Sequence, residues 1–236
     1  MRIAVIADIH GNQVALEAVL ADLALRSGID ELVIAGDLCL NGPRPREVLE
    51  IIQDLHCPVI MGNVDEQVVN PKSVKGEKKR SVITWTQQEI GTAGIAYLAN
   101  LPTQHLVENP EGTDLLVVHA NPLDKEAAIF PTTPNSKLEH LLGNLPHTIG
   151  ALAFGHLHIA YTRRWQHILL VDVGSCGLPR DKDQRASYAI IEWRDGTWQA
   201  EHHRIAYDLN EVVKQMKQSG MPHVEKRIKV LTEAKY

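Results

Sequence analysis

The sequence predicts an α/β fold with a parallel core, on three observations. Short runs rich in Val, Ile and Leu end abruptly at Gly, Asp, Asn or His, as buried strands do. Between the first three runs lie stretches with apolar residues at helical spacing. The order strand, helix, strand, helix, strand then calls for right-handed crossovers joining parallel strands.

Along the chain, residues 3–7 form the first run, which stops at Asp8-Ile9-His10-Gly11-Asn12. Leu16, Val19, Leu20 and Leu23 follow the i, i+3, i+4, i+7 rule, with Gly28 where a helix would stop. Residues 31–35 end at Gly36-Asp37. Pro43 and Pro45 mark the start of a second helix carrying Val48, Ile51, Ile52 and Leu55. Residues 58–61 read as a third strand ending at Gly62-Asn63, and a helical pattern follows over about 79–101, weakened by Gly91 and Gly94. The second half is richer in strands. Residues 106–107 and 115–118 flank a turn, and the latter run stops at His119. Residues 150–154 stop at Gly155-His156-Leu157-His158, and residues 168–173 form another buried run. Residues 188–193 and 197–201 flank Asp195-Gly196, a hairpin signal. Helical patterns at 209–218 and 224–234 close the chain. With no repeat or linker, a single domain over residues 1–236 is expected.

Lys and Arg number 24 against 29 Asp and Glu, a net charge of -5, so nucleic acid is not expected to be held by bulk electrostatics. Cys39, Cys57 and Cys176 are too few and too scattered for a disulfide framework or a thiolate zinc site, which points to a reducing compartment. The N-terminus lacks a leader pattern and no apolar run approaches membrane-span length, so a cytoplasmic protein without a membrane partner is expected. The basic residues within 75–80 read as a solvated loop or helix start.

The chemistry sits at the strand ends: Asp8, His10, Asp37, Asn63, His119, His156 and His158. Ligands of open α/β sheets bind outside the carboxyl ends of strands, so five loops bring seven metal-ligand side chains to one edge. Any one of them alone reads as a helix cap or a structural histidine. Seven together read as a site. In Asp8-x-His10 and His156-x-His158, alternate side chains share a face. Gly36, Gly62 and Gly155 immediately precede ligand positions, where a missing side chain lets the backbone turn. Three Asp or Asn oxygens with four imidazoles suit Mn, Fe, Zn, Ni or Co, and exceed what one four-coordinate ion takes. They fit two ions about 3.5–4 Å apart sharing a carboxylate.

The ordered set D-x-H, G-D, G-N, H, G-H-x-H resembles the calcineurin-like metallophosphoesterase superfamily over residues 8–158. Residues 174–181, Gly-Ser-Cys-Gly-Leu-Pro-Arg-Asp, followed by Arg185-Ala186-Ser187-Tyr188, are further similar to a compact prokaryotic phosphodiesterase branch. The resemblance implies a four-layer αββα sandwich of two mixed sheets flanked by helices. It implies two divalent metal ions, manganese first, with Fe, Ni, Co, Zn or Mg as alternatives. Asp8, His10, Asp37 and His158 would hold the first ion. Asn63, His119 and His156 would complete the second, with Asp37 bridging and Asp37, Asn63 and His119 catalytic. A hydroxide bridging the ions would attack phosphorus.

Where relatives read G-N-H-[D/E], this chain has Gly62-Asn63-Val64-Asp65. Valine has no proton to give, so His105 and His147 become the next candidates for a proton donor. Asp65 reads equally as support for the ligands or as a first-turn helix acid. Asn12 could cap the first helix or bind substrate, and Arg180 could grip phosphate or form a salt bridge. Cys176 shows no base or oxyanion donor and is not read as a nucleophile. Residues 120–135 are the expected substrate rim. The expected activity is phosphodiester hydrolysis, with a dinucleoside polyphosphate or a phosphomonoester as alternative substrate and a non-catalytic scaffold as the alternative role. A small phosphoester or nucleotide is the expected partner, and a homodimer would be unsurprising.

Overall fold

The structure is a computed structural model that describes residues 1–235. Its strands are β1 (Arg2–Ile6), β2 (Glu31–Ile34), β3 (Gln104–Val107), β4 (Asp114–Val118), β5 (Ile149–Phe154), β6 (Tyr161–Trp165), β7 (Ile168–Asp172), β8 (Ala186–Arg194) and β9 (Thr197–Ile205). The α-helices are α1 (Gln13–Ala24), α2 (Pro45–Asp54), α3 (Asn63–Val69), α4 (Glu77–Ala99), α5 (Asn135–Leu142), α6 (Leu209–Gln218) and α7 (Val224–Glu233).

Two mixed sheets result, ordered β2-β1-β8-β9 and β3-β4-β5-β7-β6. The β1–β2 pair is parallel, as the sequence predicts, and so are β4–β5 and β5–β7. The remaining pairs are antiparallel, and β8 and β9 are joined by the two-residue turn at Asp195-Gly196.

Strands β1, β4, β5 and β7 are apolar on both faces, and each face has a different partner. Ile3 and Val5 of β1, Leu115 and Val117 of β4, Ala151 and Ala153 of β5, and Leu169 and Val171 of β7 meet in the core between the sheets. The alternate residues turn outward. Ile6 and Ile34 pack with Leu16, Val48 and Ile83 of the helices covering the first sheet. Leu116, Leu152 and Leu170 pack with Leu138 and Leu142 of α5 on the second. The period-two geometry of a strand therefore builds four layers, αββα.

Some elements differ from the sequence reading. Residues 58–61 make a single parallel bridge, Val59 to Ile34, flanked by hydrogen bonds from Ile34 N to Pro58 O and from Ile60 N to Ile34 O. Pro58 has no N–H to extend a ladder. The α4 run is interrupted at Gly91, whose φ of 65° is not helical. The short helices α3 and α5 and the polar edge strand β6 lack a long periodic pattern. Among the described residues no helix is long and apolar enough to cross a membrane.

Leu115 is fully buried between the sheets. Leu115→Ala is expected to cost about 2–5 kcal/mol in chemical denaturation. A loss below about 1 kcal/mol would show that the inter-sheet core collapses around the gap.

Candidate metal centre

The ligand loops are locked to one another by backbone hydrogen bonds that continue past β1 and β2. Asp8 N–H donates to Gly36 O, His10 N–H to Asp37 O, and Gly11 N–H to Leu38 O. Gly155 N–H donates to His119 O, and His156 N–H to Asp8 Oδ2 at 2.8 Å. Asp8, His10, Asp37, His156 and His158 all have positive φ, between 51° and 69°. Asp and His tolerate this left-handed region better than most residues, though at some cost. Such strain concentrated in one place is characteristic of functional loops. Gly62 and Gly155 contribute by close approach rather than by turning. A Cβ at Gly62 would lie 2.1 Å from Asp37 Oδ1, and one at Gly155 would lie 2.3 Å from Asp8 Oδ2.

Asp8, His10, Asp37 and His158 are buried and offer ligand atoms within 4.8 Å of one another. His10 Nε2 lies 3.1 Å from His158 Nε2 and 3.7 Å from Asp37 Oδ2; His158 Nε2 is 3.3 Å from Asp8 Oδ1. On the other side, His119 Nε2 is 3.3 Å from Asp37 Oδ1 and 3.2 Å from Asn63 Oδ1. Asp37 thus presents one oxygen to each half of the cluster.

The protonation of these rings follows from their outer contacts. The Nδ1 atoms of His10, His119 and His158 lie 2.9, 2.8 and 2.5 Å from the carbonyls of Leu40, Ala35 and Leu178. A carbonyl only accepts, so each neutral ring carries its proton on Nδ1 and turns an Nε2 lone pair inward. His10 and His158 therefore oppose lone pair to lone pair, and Asp8 Oδ1 is buried with no hydrogen-bond partner. A divalent cation satisfies all three atoms at once, so the residues fit the metal that the family resemblance implies.

The buried carboxyls register the same crowding. Burial pushes Asp37 up to about 8; His119 opposes the rise, while the charges of Asp8 and Asp65 add to it. Burial would also raise Asp8, but the nearby charge of His158, helped by those of His119 and His10, holds it well below the carboxylate range. Burial and then His158 drive His10 far down. Burial lowers His119 too, yet the Asp37 and Asp8 carboxylates outweigh it and raise this ring.

Asp65 supports the centre more than the sequence reveals. Its Oδ2 accepts from Asp37 N–H at 2.8 Å and Gly62 N–H at 2.9 Å, and its Oδ1 accepts from Leu38 N–H at 2.9 Å. One buried carboxylate thus starts α3 and clamps the Asp37 loop. Residues 174–178 back the other side: Ser175 Oγ donates to Asp8 O, Cys176 N–H to Ala7 O and Gly177 N–H to Asp8 O. Cys176 is fully buried and burial raises its thiol, which suits packing rather than nucleophilic attack.

The remaining expectations divide. His156 sits beside His119, ring centroids 5.2 Å apart, but its Nε2 is 2.9 Å from Glu126 O, so only Nδ1 remains for a ligand role. That contact ties His156 to the 120–135 segment, the expected rim. Asn12 is spent on structure, with Oδ1 accepting from Ala15 N–H and Nδ2 donating to Gly177 O. Arg180 lies close enough for its charge to lower His10, and its N–H donates to His158 O. His105 and His147 are misplaced for proton donation. His105 pairs with Glu31 at the start of β2, and His147 stacks near His167 ahead of β5 and β7. His147 precedes β5, at the end away from its ligands, whereas His105 sits across from Val117 in the β3–β4 register and its ring is taken up by Glu31.

Residues 1–196 match the calcineurin-like phosphoesterase superfamily domain, and the chain belongs to this family. It is 31% identical to an uncharacterized protein of Methanocaldococcus jannaschii, over 93% of each chain. Among solved structures it is similar to a metallophosphoesterase from Sphaerobacter thermophilus, with a TM-score of 0.79, 26% identity and 99% of each chain covered. A hypothetical protein from Pyrococcus horikoshii shares the fold with a TM-score of 0.85 at 21% identity, over 100% of this chain and 99% of that one. The family is metal-dependent, and the buried Asp and His cluster is where this chain can hold metal.

Two outcomes follow. Because Asp37 keeps its proton up to about pH 8 without metal, loading must expel that proton. Metal affinity is therefore expected to rise at least tenfold per pH unit below about 8, His119 adding to the slope at lower pH, and to level off above it, as read by competition with a chromophoric chelator. A pH-independent affinity would contradict this. Asp65→Ala leaves three buried N–H groups without an acceptor and should weaken metal binding by about 10–100-fold while the Asp and His ligands remain intact.

Proposed function

We propose that the protein is a two-metal phosphoester hydrolase that cleaves phosphodiesters. The observation that carries this reading is the division of inward-facing acceptors into two groups that share Asp37. Asp8, His10, His158 and Asp37 Oδ2 form one group; His119, Asn63 and Asp37 Oδ1 form the other, with His156 Nδ1 as its further donor. Two divalent cations held there supply Lewis acidity toward phosphoryl oxygens and lower the pKa of nearby water.

The chain's own residues set the conditions for that chemistry. The three Nδ1–carbonyl contacts fix the rings, so their lone pairs need no reorganisation when substrate arrives. Arg180 adds positive charge on the His10 side, which suits an anionic phosphoryl group. Retention of the complete ligand set weighs against a non-catalytic scaffold.

Val64 limits the leaving group. Its side chain is buried and cannot protonate a departing oxygen, and its backbone N–H is committed to Asp37 Oδ1 at 3.0 Å. With His105 paired to Glu31 and His147 at the far end of β5, groups that depart readily as anions are favoured. Aryl phosphodiesters meet this requirement in the test tube. So do phosphoanhydrides such as dinucleoside polyphosphates, the second reading that Val64 supports.

Turnover of bis(p-nitrophenyl) phosphate should disappear on chelation and return with manganese or another transition ion. Full activity after exhaustive chelation and dialysis would refute the two-metal reading. Across an aryl diester series, log kcat should fall steeply as leaving-group pKa rises, and Val64→His should flatten the slope if the new ring reaches the leaving oxygen. A flat series in the unaltered protein, with chemistry rate-limiting, would mean that another residue already donates the proton.

A further inference from the structure

A second cleft adjoins the His119 half of the metal centre. It has a volume of about 480 Å³ and is lined by Glu66, Gln67, Ser73, Val74, Lys75, Lys79 and Glu126. Two links join it to the centre. Glu126 offers its carbonyl to His156 Nε2, and Gln67 lies one turn of α3 beyond Asn63.

The charges in this cleft are unequal in their freedom. Glu66 pairs with Lys125 at 3.4 Å, and Glu126 accepts from Gln67 Nε2 at 3.3 Å. Lys75 and Lys79 are exposed and form no ion pair among the described residues. Gln67 is buried, and its Oε1 has no hydrogen-bond partner. The cleft thus sets the two unpaired cations of Lys75 and Lys79 against one carboxylate, Glu126, that is met only by an amide, and its size falls in the range of small-molecule sites. The basic residues within 75–80, read from sequence as a solvated loop or helix start, are exposed at the start of α4, and Lys75 and Lys79 also line this cleft.

We propose that Lys75 and Lys79 form a subsite for a second phosphate, one carried by the substrate beyond its scissile phosphorus. This rests on the phosphoester reading above, and it makes the two lysines specificity-determining residues. Substrates with a further phosphoryl group, such as nucleoside polyphosphates and phosphorylated diesters, are then preferred over those with one.

The test is calorimetric binding of ADP and AMP to the metal-loaded protein at fixed free manganese. The protein should bind ADP about tenfold more tightly than AMP, a gap of about 1.4 kcal/mol. Lys75→Ala/Lys79→Ala should bring the two affinities together, and Lys75→Glu/Lys79→Glu should reverse their order. An ADP preference unchanged in both double variants would assign the second phosphate to the metal ions and overturn the proposal. Equal affinities in the unaltered protein would overturn it too. Chelator-sensitive turnover of bis(p-nitrophenyl) phosphate, measured in parallel, judges the hydrolase reading separately, because the binding comparison does not need catalysis.

Discussion

The imidazole nitrogens of His10, His119 and His158 face the oxygens of Asp8, Asp37 and Asn63 across 3.1 to 3.8 Å, counting the His10–His158 contact, with the Nδ1 protons turned away to backbone carbonyls. Lone pairs gathered this closely in a buried site repel one another, and burial of carboxylates adds to the cost. In the absence of cations a proton on Asp37 relieves part of it, which is why that carboxyl is raised while Asp8 is held low. The surrounding architecture works against this repulsion. Backbone hydrogen bonds join the 8–11 and 36–38 segments, Asp65 clamps Asp37 and Leu38, and residues 174–178 close over Asp8.

Such an arrangement needs a stiff foundation, and the sheets provide it. The left-handed backbone at five ligand positions costs on the order of 1–2 kcal/mol per residue. The strands feeding those loops are apolar on both faces, so each is held between a facing sheet and an outer helical layer. A displaced strand end would pull buried side chains from two cores. The glycines beside Asp37 and Asp8 fit this picture, because those carboxylates occupy the volume that a Cβ would need.

The ligands were legible in the sequence because they follow strands, and strand ends show as sharp transitions from aliphatic to polar residues. The two layers of packing were partly legible, since continuous apolar runs announce strands buried on both faces. The supporting contacts were not. Asp65 acts through three N–H groups drawn from two loops, and no local pattern in Gly62-Asn63-Val64-Asp65 distinguishes a clamp from an ordinary helix cap. Ser175 and Gly177 meet Asp8 across a sequence separation of almost the whole fold. His105 and His147 show the converse failure: residue type suggested proton transfer, but the ring of His105 is paired with Glu31 and His147 precedes β5, away from its ligands. Lys75 and Lys79 are solvated, as the sequence suggests, and only the fold sets them beside α3 and Glu126.

The central claim is that Asp37 is shared between two cations, and metal stoichiometry tests it most directly. Elemental analysis of the protein after equilibration with manganese and removal of free metal should find two ions per chain. Asp37→Ala, confirmed as folded, should retain fewer than one, because both halves of the cluster lose an oxygen. Two ions per chain in Asp37→Ala, or a single ion in the unaltered protein at saturation, would contradict the account.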